Sequence, residues 1–446
     1  YYKKKLNKNN IINKKRKNTI FISMNSKKKI AFFTHGCKLN YTETSTISRK
    51  IKHEGYSIVD FNTPADYYII NTCMVTEKAE RKCRQTIKKA YKQNPEAKII
   101  VIGCYSELKA NELKEIPGVF LTFGNSDKFN IVNVISEKND PKPDNANEFH
   151  SSYSAGDRTR SFLKIHDGCN YFCSYCTIPY VRGRSRNAPI AQLIETAKTI
   201  KAQGVKEIIL TGINIGDYGK SSNENLHKLL MELANIDDIY FRISSIEPNL
   251  LTHEIIDLVK NNKQFSPHFH IPLQAGTDKI LKRMNRKYSI SFFRDKVSEI
   301  KKAIPDCFIG TDLIVGFPGE TEDDYTETYN YLNQLELSDI HVFSFSSREM
   351  AKAYTMEPKV KGEIIKKRSD GIQLLAQKKH LSFIQSQLNK TKLCLFEKSA
   401  KNKYIYGLTD NYIKVVTNYK EGLENTHQMV QLTSIENNNE VFCKII

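Results

Sequence analysis

The sequence predicts an α/β protein in three parts: an N-terminal doubly wound parallel sheet, a central partial barrel of six β/α units, and a small C-terminal antiparallel β-barrel. Three observations carry this. From Lys29 onward, short apolar runs alternate with helical stretches, the rhythm of a parallel sheet covered on both faces. A Pro-, Asn- and charge-rich stretch at 137–152 breaks that rhythm, which then resumes for six further strands. Beyond residue 389 the helices stop and five short strands follow with turn residues between them.

In the first part KIAFFTHG (29–36), DYYIINTC (66–73), AKIIVIGCY (97–105) and VFLTFGN (119–125) read as strands, with helices over about 42–53 and 77–93. In the second part the strands are SFLKIHDG (161–168), KEIILTG (206–212), FRISSI (241–246), HFHIPL (268–273), FIGTDLIVGF (308–317) and DIHVFSFS (339–346). Helices such as 189–204 and 291–304 separate them, and a long helix over 361–388 closes the region. KLCLFE, KYIYGLT, YIKVVT, MVQLTSI and EVFCKII make the last barrel. The expected division is therefore 1–27 as a basic arm or upstream sequence, 28–136, a linker over 137–155, 156–388, and 389–446. Residues with special chemistry fall at strand C-termini of the central part, where such barrels place their sites.

The formal charge of +19 points to a polyanionic partner such as RNA. Eight cations and no acid precede Met24, the expected translation start, so +11 belongs to the rest of the chain. No run of ~18 apolar residues reads as a transmembrane span, and no apolar segment after the basic start reads as a secretory signal. Ten cysteines are few for a secreted disulfide scaffold of 446 residues. Their clustering points to metal or cluster ligation in a reducing, cytoplasmic setting; a monomer is expected.

The loop DGCNYFCSYCTIPYVRGRSR (167–186) holds Cys169, Cys173 and Cys176 as C-x3-C-x2-C directly after a strand. Three thiolates are one short of the four that fill a cubane cluster, so one iron keeps an open position for a small ligand. The alternative is zinc, but structural zinc takes four ligands with paired C-x2-C spacing, and one such pair occurs here. His166 is the candidate fourth zinc ligand, or else it packs in the sheet.

This loop, following the first of six β/α strands, resembles the radical S-adenosylmethionine (SAM) superfamily, and from Lys29 onward the chain resembles its methylthiotransferases. The resemblance implies a radical SAM barrel in the centre and an RNA-gripping TRAM-like barrel at the end. It also implies two [4Fe-4S] clusters, S-adenosyl-L-methionine as cofactor, tRNA as substrate and an electron donor such as flavodoxin or ferredoxin. Cys169, Cys173 and Cys176 match the catalytic cluster, and Cys37, Cys73 and Cys104 match the second one. Each of the latter lies just past a strand end, and neighbouring strands of a parallel sheet lie ~4.8 Å apart, so the three thiols converge on one edge. Cys83 is expected to pack within a helix, and Cys307, Cys394 and Cys443 to pack in cores.

The same resemblance assigns cofactor contacts to Gly212 in TGINIGDYG, Glu247 in SSIEP, Gln274 in IPLQAGTD, and Gly316 and Gly319 in GFPGET. A tight turn, a solvated Glu or a capping Gln would account for these residues equally well. Arg182, Arg184 and Arg186 either neutralise cluster charge, grip RNA phosphate, or form a solvated basic turn. Tyr404, Tyr406 and Tyr412 beside Lys403 and Lys414 suit base stacking, or half-buried packing. THGCKLNYTET (34–44), with Cys83 beyond it, resembles enzymes that act on N6-threonylcarbamoyladenosine at position 37 of tRNA. Isopentenyladenosine-directed enzymes more typically show Gln–Met–Asn after the first Cys, and ribosomal-protein-directed relatives Lys–Asn followed by Asp–Ser. A non-catalytic iron–sulfur or zinc RNA-binding protein, or a redox sensor, is the reading from another class; the six barrel strands and GFPGET argue against it.

Overall fold

The computed structural model describes residues 27–74, 76–136, 148–156, 158–220, 222–436 and 440–446. The expected basic arm up to residue 26, with Met24, and residues 137–147 of the expected linker lie outside them. The chain opens with five parallel strands, β1 (Lys29–Thr34), β2 (Ser57–Val59), β3 (Tyr67–Thr72), β4 (Lys98–Gly103) and β5 (Val119–Phe123). Their spatial order is β2-β1-β3-β4-β5. Helices α1 (Lys38–His53), α2 (Glu77–Gln93), α3 (Cys104–Lys114) and α4 (Ile131–Ile135) cover both faces.

The period-2 alternation of the strands divides their side chains between two cores. Ala31, Tyr68, Ile70, Ile99 and Val101 pack with Cys83 and Ile87 of α2 and Leu113 of α3. Ile30, Tyr67, Ile69, Ile100 and Ile102 pack with Ile47 and Ile51 of α1 and Ile131 and Ile135 of α4. The sheet is thus doubly wound, as expected. Strand β2 was not foreseen. The strand order reverses between β1 and β3, and a crevice opens at such a switch point beyond the strand C-termini.

The central strands are β6 (Ser161–Lys164), β7 (His166–Asp167), β8 (Arg186–Asn187), β9 (Glu207–Thr211), β10 (Tyr240–Ile243), β11 (His268–His270), β12 (Phe308–Val315) and β13 (Asp339–Ser344). β6, β9 and β10 pair in parallel, as do β11, β12 and β13. Parallel bridges Phe241–Phe265 and Ser245–His270 join the two halves, giving six strands in sequence order as an open barrel. The short ribbon of β7 and β8 brackets the cysteine loop. α5 (Ile178–Val181), α6 (Ile190–Ala202), α7 (Leu226–Leu233), α8 (His253–Asn261), α9 (Asp278–Arg283), α10 (Ile290–Ala303) and α11 (Glu322–Gln334) intervene. Leu193, Leu229, Ile256, Phe293 and Leu332 bind helices to strands in one core. Residues 152–154, within the expected linker, are not free of the fold. Ser154 N–H donates to Phe162 O and Lys164 N–H to Ser152 O, and Ser152 Oγ is 2.9 Å from Thr42 Oγ1.

Helix α12 (Gly362–Gln387) leads into β14 (Thr391–Phe396), β15 (Tyr404–Thr409), β16 (Lys414–Asn418), β17 (His427–Glu436) and β18 (Glu440–Ile445). These close into a barrel in the order β14-β15-β16-β18-β17. Its core of Ile405, Val415, Val430 and Leu432 is continuous with Phe383 and Ile384 of α12 and Phe308 of β12. Buried Arg242 holds it from the other side, donating to the carbonyls of Thr409 (3.2 Å) and Asp410 (2.9 Å) while paired with Glu207 (2.7 Å). Among the described residues no helix is long and apolar enough to cross a membrane.

Candidate functional site

Cys37, Cys73 and Cys104 follow β1, β3 and β4, at the mouth of the switch-point crevice. Cys37 is the N-cap of α1 and Cys104 the first residue of α3. Burial pushes the Cys104 thiol up. Gly36 adopts φ +96°, and a Cβ there would lie 2.7 Å from Cys73 Cβ and 3.0 Å from its Sγ. Only glycine lets the chain turn at this point with Cys73 against it. Cys37 and Cys104 are near enough for the charge of one to act on the other. Cys83 is buried in α2, its Sγ 3.5 Å from the Cys73 carbonyl, and burial pushes its thiol up to about 11. Cys307, Cys394 and Cys443 are buried in cores, as expected.

Cys169, Cys173 and Cys176 lie in the loop between β7 and α5. Phe172 takes a left-handed φ of +51°, and Cys169 N–H donates to Gly183 O at 3.1 Å. A second group of residues, which the sequence reading missed, organises this loop. Arg286 places Nη1 3.2 Å from Cys173 Sγ and 3.3 Å from Tyr175 Oη, and its Nε donates to Tyr288 Oη at 3.0 Å. Its other nitrogen pairs with Glu247, which is thereby tied to the cysteine loop. Burial pushes the thiols of Cys169 and Cys176 up to about 11 and about 12. A metal or cluster that takes these sulfurs binds them as thiolates and so drives their protons off. Three thiols, a guanidinium on one of them and, among the described residues, no fourth protein ligand fit a [4Fe-4S] cluster with one open iron.

His166 is no zinc ligand. Its Nε2 lies 2.7 Å from Ser185 Oγ and its Nδ1 accepts from Asn214 N–H, and burial lowers its pKa to about 4. The remaining predicted positions are held by protein partners. Gly212 has no room for a Cβ, which would meet His166 at 2.9 Å. Gln274 sits at φ +72°, its N–H on Asp312 O. Gly316 N–H donates to the Glu320 carboxylate, itself paired with Arg368, and Gly319 N–H donates to Pro358 O.

Arg182 differs most from the sequence reading. Neither a solvated turn nor a phosphate grip fits it, because its side chain is fully buried. Arg182 pairs with Glu43 of α1 (3.2 Å) and Asp167 of β7 (3.1 Å), and Nη2 donates to Asn40 Oδ1 at 2.5 Å. Glu43 also pairs with Lys128 (2.5 Å) and Lys164 (3.2 Å). Burial alone would raise Glu43 and Asp167, but Arg182 and the lysines hold both carboxyls far below the usual range. The five side chains, all under 5% exposed, carry three positive charges against two negative. Two asparagines connect them to the first cysteine set. Asn40 Oδ1 is 3.8 Å from Cys37 Sγ, and Asn125, which accepts from Lys128, has Nδ2 3.5 Å from Cys104 Sγ. The excess positive charge suits the negative charge of a thiolate-ligated cluster. Arg184 is exposed over the Phe172 ring, and Arg186 binds Asp167 and backbone carbonyls.

A cavity of about 770 Å³ opens in the barrel lumen. Its walls come from β6 and β9–β13, from Lys38 at the start of α1, and from the C-terminal barrel. Asp312 in the lumen is flanked by His270 (Nε2 3.1 Å) and His341 (Nδ1 3.3 Å). Their hydrogen bonds draw the Asp312 carboxyl down, and Asp312 in turn raises His341. On the C-terminal wall Lys401 and Lys414 flank Tyr406, and Tyr412 is exposed beside His268. Half-buried Tyr404 lies outside this wall.

Residues 163–332 match the Radical SAM superfamily and residues 29–124 match Uncharacterized protein family UPF0004. The open six-strand barrel and its cysteine loop thus define a radical SAM protein with an N-terminal sheet domain. The radical SAM methyltransferase TsrM of Kitasatospora setae shares the fold, with TM-score 0.52 and 13% identity over 71% of this chain and 75% of that one. The Threonylcarbamoyladenosine tRNA methylthiotransferase MtaB of Bacillus subtilis is 37% identical over 87% of this chain and 90% of its own. Its Aquifex aeolicus namesake is 34% identical over 91% and 99%. The tRNA-2-methylthio-N(6)-dimethylallyladenosine synthase of Fusobacterium nucleatum is 32% identical over 87% and 93%. The chain belongs to the radical SAM methylthiotransferase family, of the MtaB-like kind.

Proposed function

We propose that this protein adds a methylthio group to C2 of N6-threonylcarbamoyladenosine at position 37 of tRNA. The observation that carries the reading is that buried Arg182 and Lys128, through Asn40 and Asn125, link Cys37 and Cys104 to Asp167, two residues before Cys169, while Lys38 beside Cys37 lines the basic cavity. In this reading a [4Fe-4S] cluster is held by Cys169, Cys173 and Cys176 and a second by Cys37, Cys73 and Cys104. When bound, they and S-adenosyl-L-methionine supply reductive C–H activation and the sulfur to be transferred. The chain's own residues do the positioning. Arg286 fixes the Cys173 sulfur and the Glu247 carboxylate together, next to the place where the family binds its cofactor. Gly212, Gln274, Gly316 and Gly319 shape the turns around that place. Asn40 and Asn125 hold Cys37 and Cys104 against the Arg182 and Lys128 cations. The lumen takes the base, and Tyr406, Tyr412, Lys401 and Lys414 meet the RNA chain by stacking and charge.

The division into 28–136, 156–388 and 389–446 follows these roles. We further read the protein as a cytoplasmic monomer served by a flavodoxin- or ferredoxin-like donor. The test is an anaerobic assay of the reconstituted protein on tRNA bearing threonylcarbamoyladenosine, isopentenyladenosine tRNA and ribosomal protein. Methylthio product from the first is expected. Preferred turnover of another substrate refutes the substrate assignment.

A further inference from the structure

Lys38 differs from the other cations around the cysteines. Arg182, Lys128 and Lys164 each end on a carboxylate. The Lys38 side chain makes no hydrogen bond or ion pair among the described residues, and its ammonium lies 5.9 Å from the Phe162 ring. It is the first residue of α1, directly after Cys37, and its side chain lines the lumen cavity with His270, Asp312 and His341. The two acids of that cavity are already engaged. Asp312 lies between two imidazoles, and Glu397 is tied to Arg160 and Thr159. Lys38 is therefore an unmatched cation in a preformed cavity, on the wall nearest the first cysteine set.

We propose that Lys38 binds the carboxylate of the threonyl arm while the base occupies the lumen, and so selects the carboxylate-bearing substrate. The inference rests on the functional reading above. In adenine, C2 and C6 both flank N1, so an arm on N6 leaves the ring beside the edge that carries the reacting carbon. A residue that reads the arm must then lie close to the sulfur site, as a neighbour of Cys37 does. An RNA phosphate offers similar anionic chemistry. The cations placed to meet the backbone are Lys398, Lys401 and Lys414 on the C-terminal barrel's wall with Tyr406, and Arg158 lies over the same Phe162 ring as Lys38. A site built around a charged pair rejects the analogue that lacks one partner, because the other is left unpaired.

The experiment compares wild type, Lys38→Met, Lys38→Gln and Lys38→Arg as full-length, cluster-reconstituted protein. Binding is measured to tRNA bearing threonylcarbamoyladenosine and to the same tRNA with plain adenosine at position 37. Lys38→Met and Lys38→Gln are expected to bind the carboxylate-bearing tRNA at least tenfold more weakly, with affinity for plain tRNA unchanged. Lys38→Arg should recover part of the loss. Iron content equal to wild type shows that the Cys37 site is intact. Equal weakening on both tRNAs, with a salt slope reduced by about one, would mean that Lys38 meets a phosphate and overturns the proposal. Unchanged binding to both overturns it as well. The functional reading is judged separately, by whether wild type turns over the carboxylate-bearing tRNA.

Discussion

Glu43→Gln tests the buried charge cluster most sharply, because Glu43 is the anion on which three cations converge. With Glu43 present the five buried side chains sum to one positive charge; without it they sum to two, with Asp167 alone opposing Lys128, Lys164 and Arg182. Removing one partner from a buried ion pair destabilises by about 3–5 kcal/mol, since the remaining charges are left uncompensated. For a cooperative unit of 150–250 residues this lowers Tm by roughly 6–20 °C. Arg182→Met should be milder, because it leaves two anions and two cations. Calorimetric or fluorescence unfolding of the two variants beside wild type measures both. The pH dependence follows from the same carboxylate. Its folded pKa is depressed, so its stabilisation is fully present above the unfolded value near ~4.3 and is lost as pH falls toward the folded one. The apo form of Glu43→Gln should therefore show a weaker acid destabilisation below about pH 4.3 than apo wild type. A Glu43→Gln protein that melts within about 2 °C of wild type, or less cooperatively only in its C-terminal barrel, would refute the reasoning.

Three further outcomes are expected. Cys169→Ala, Cys173→Ala and Cys176→Ala combined should leave about half the iron and abolish cofactor cleavage, whereas the combined Cys37, Cys73 and Cys104 variant should keep cleavage and lose methylthiolation. Full iron content in the second variant counts against a second cluster. Arg286→Met strips Cys173, Tyr175, Tyr288 and Glu247 of a shared donor, so S-adenosyl-L-methionine cleavage should fall more than about tenfold, with partial rescue by Arg286→Lys; equal activity would make Arg286 merely structural. Lys401→Ala with Lys414→Ala should weaken tRNA binding and lower its salt slope by about two without changing Tm, as filter binding across salt concentrations would report.

These point variants replace a simpler one that the sequence invites, removal of 389–446 as a tail. The structure argues against it. Truncation would expose Phe308 and Phe383 and leave Arg242 without its carbonyl partners. Most strands were legible because apolar runs and turn residues are local signals, but their spatial order was not. β2 was not, since three half-exposed residues carry no period. α1 begins at Lys38, four residues before the expected start, because its N-cap is a cysteine and offers none of the usual capping side chains. The cysteines were legible from spacing. Arg286, 110 residues beyond Cys176, was not, because only the closing of the barrel brings β10, the cysteine loop and the chain after α9 together. Arg182 was visible as a cation, but its burial depended on Glu43, which no local pattern joins to it.

The cavity wall has a consequence for ancestry and engineering. A C-terminal barrel of this size is ordinarily treated as an interchangeable module, a handle that can be swapped to redirect an enzyme to another RNA. Here Glu397, Lys398, Lys401, Tyr406, Tyr412 and Lys414 belong to the chamber that the lumen strands enclose. Under the function proposed above, a chimera would carry a new chamber wall along with a new handle, and so would alter which nucleoside fits whenever it altered which RNA is held. Substitutions in the barrel and in the lumen are therefore constrained to change together, and grafts should succeed only when the lumen residues facing the new barrel are transplanted with it.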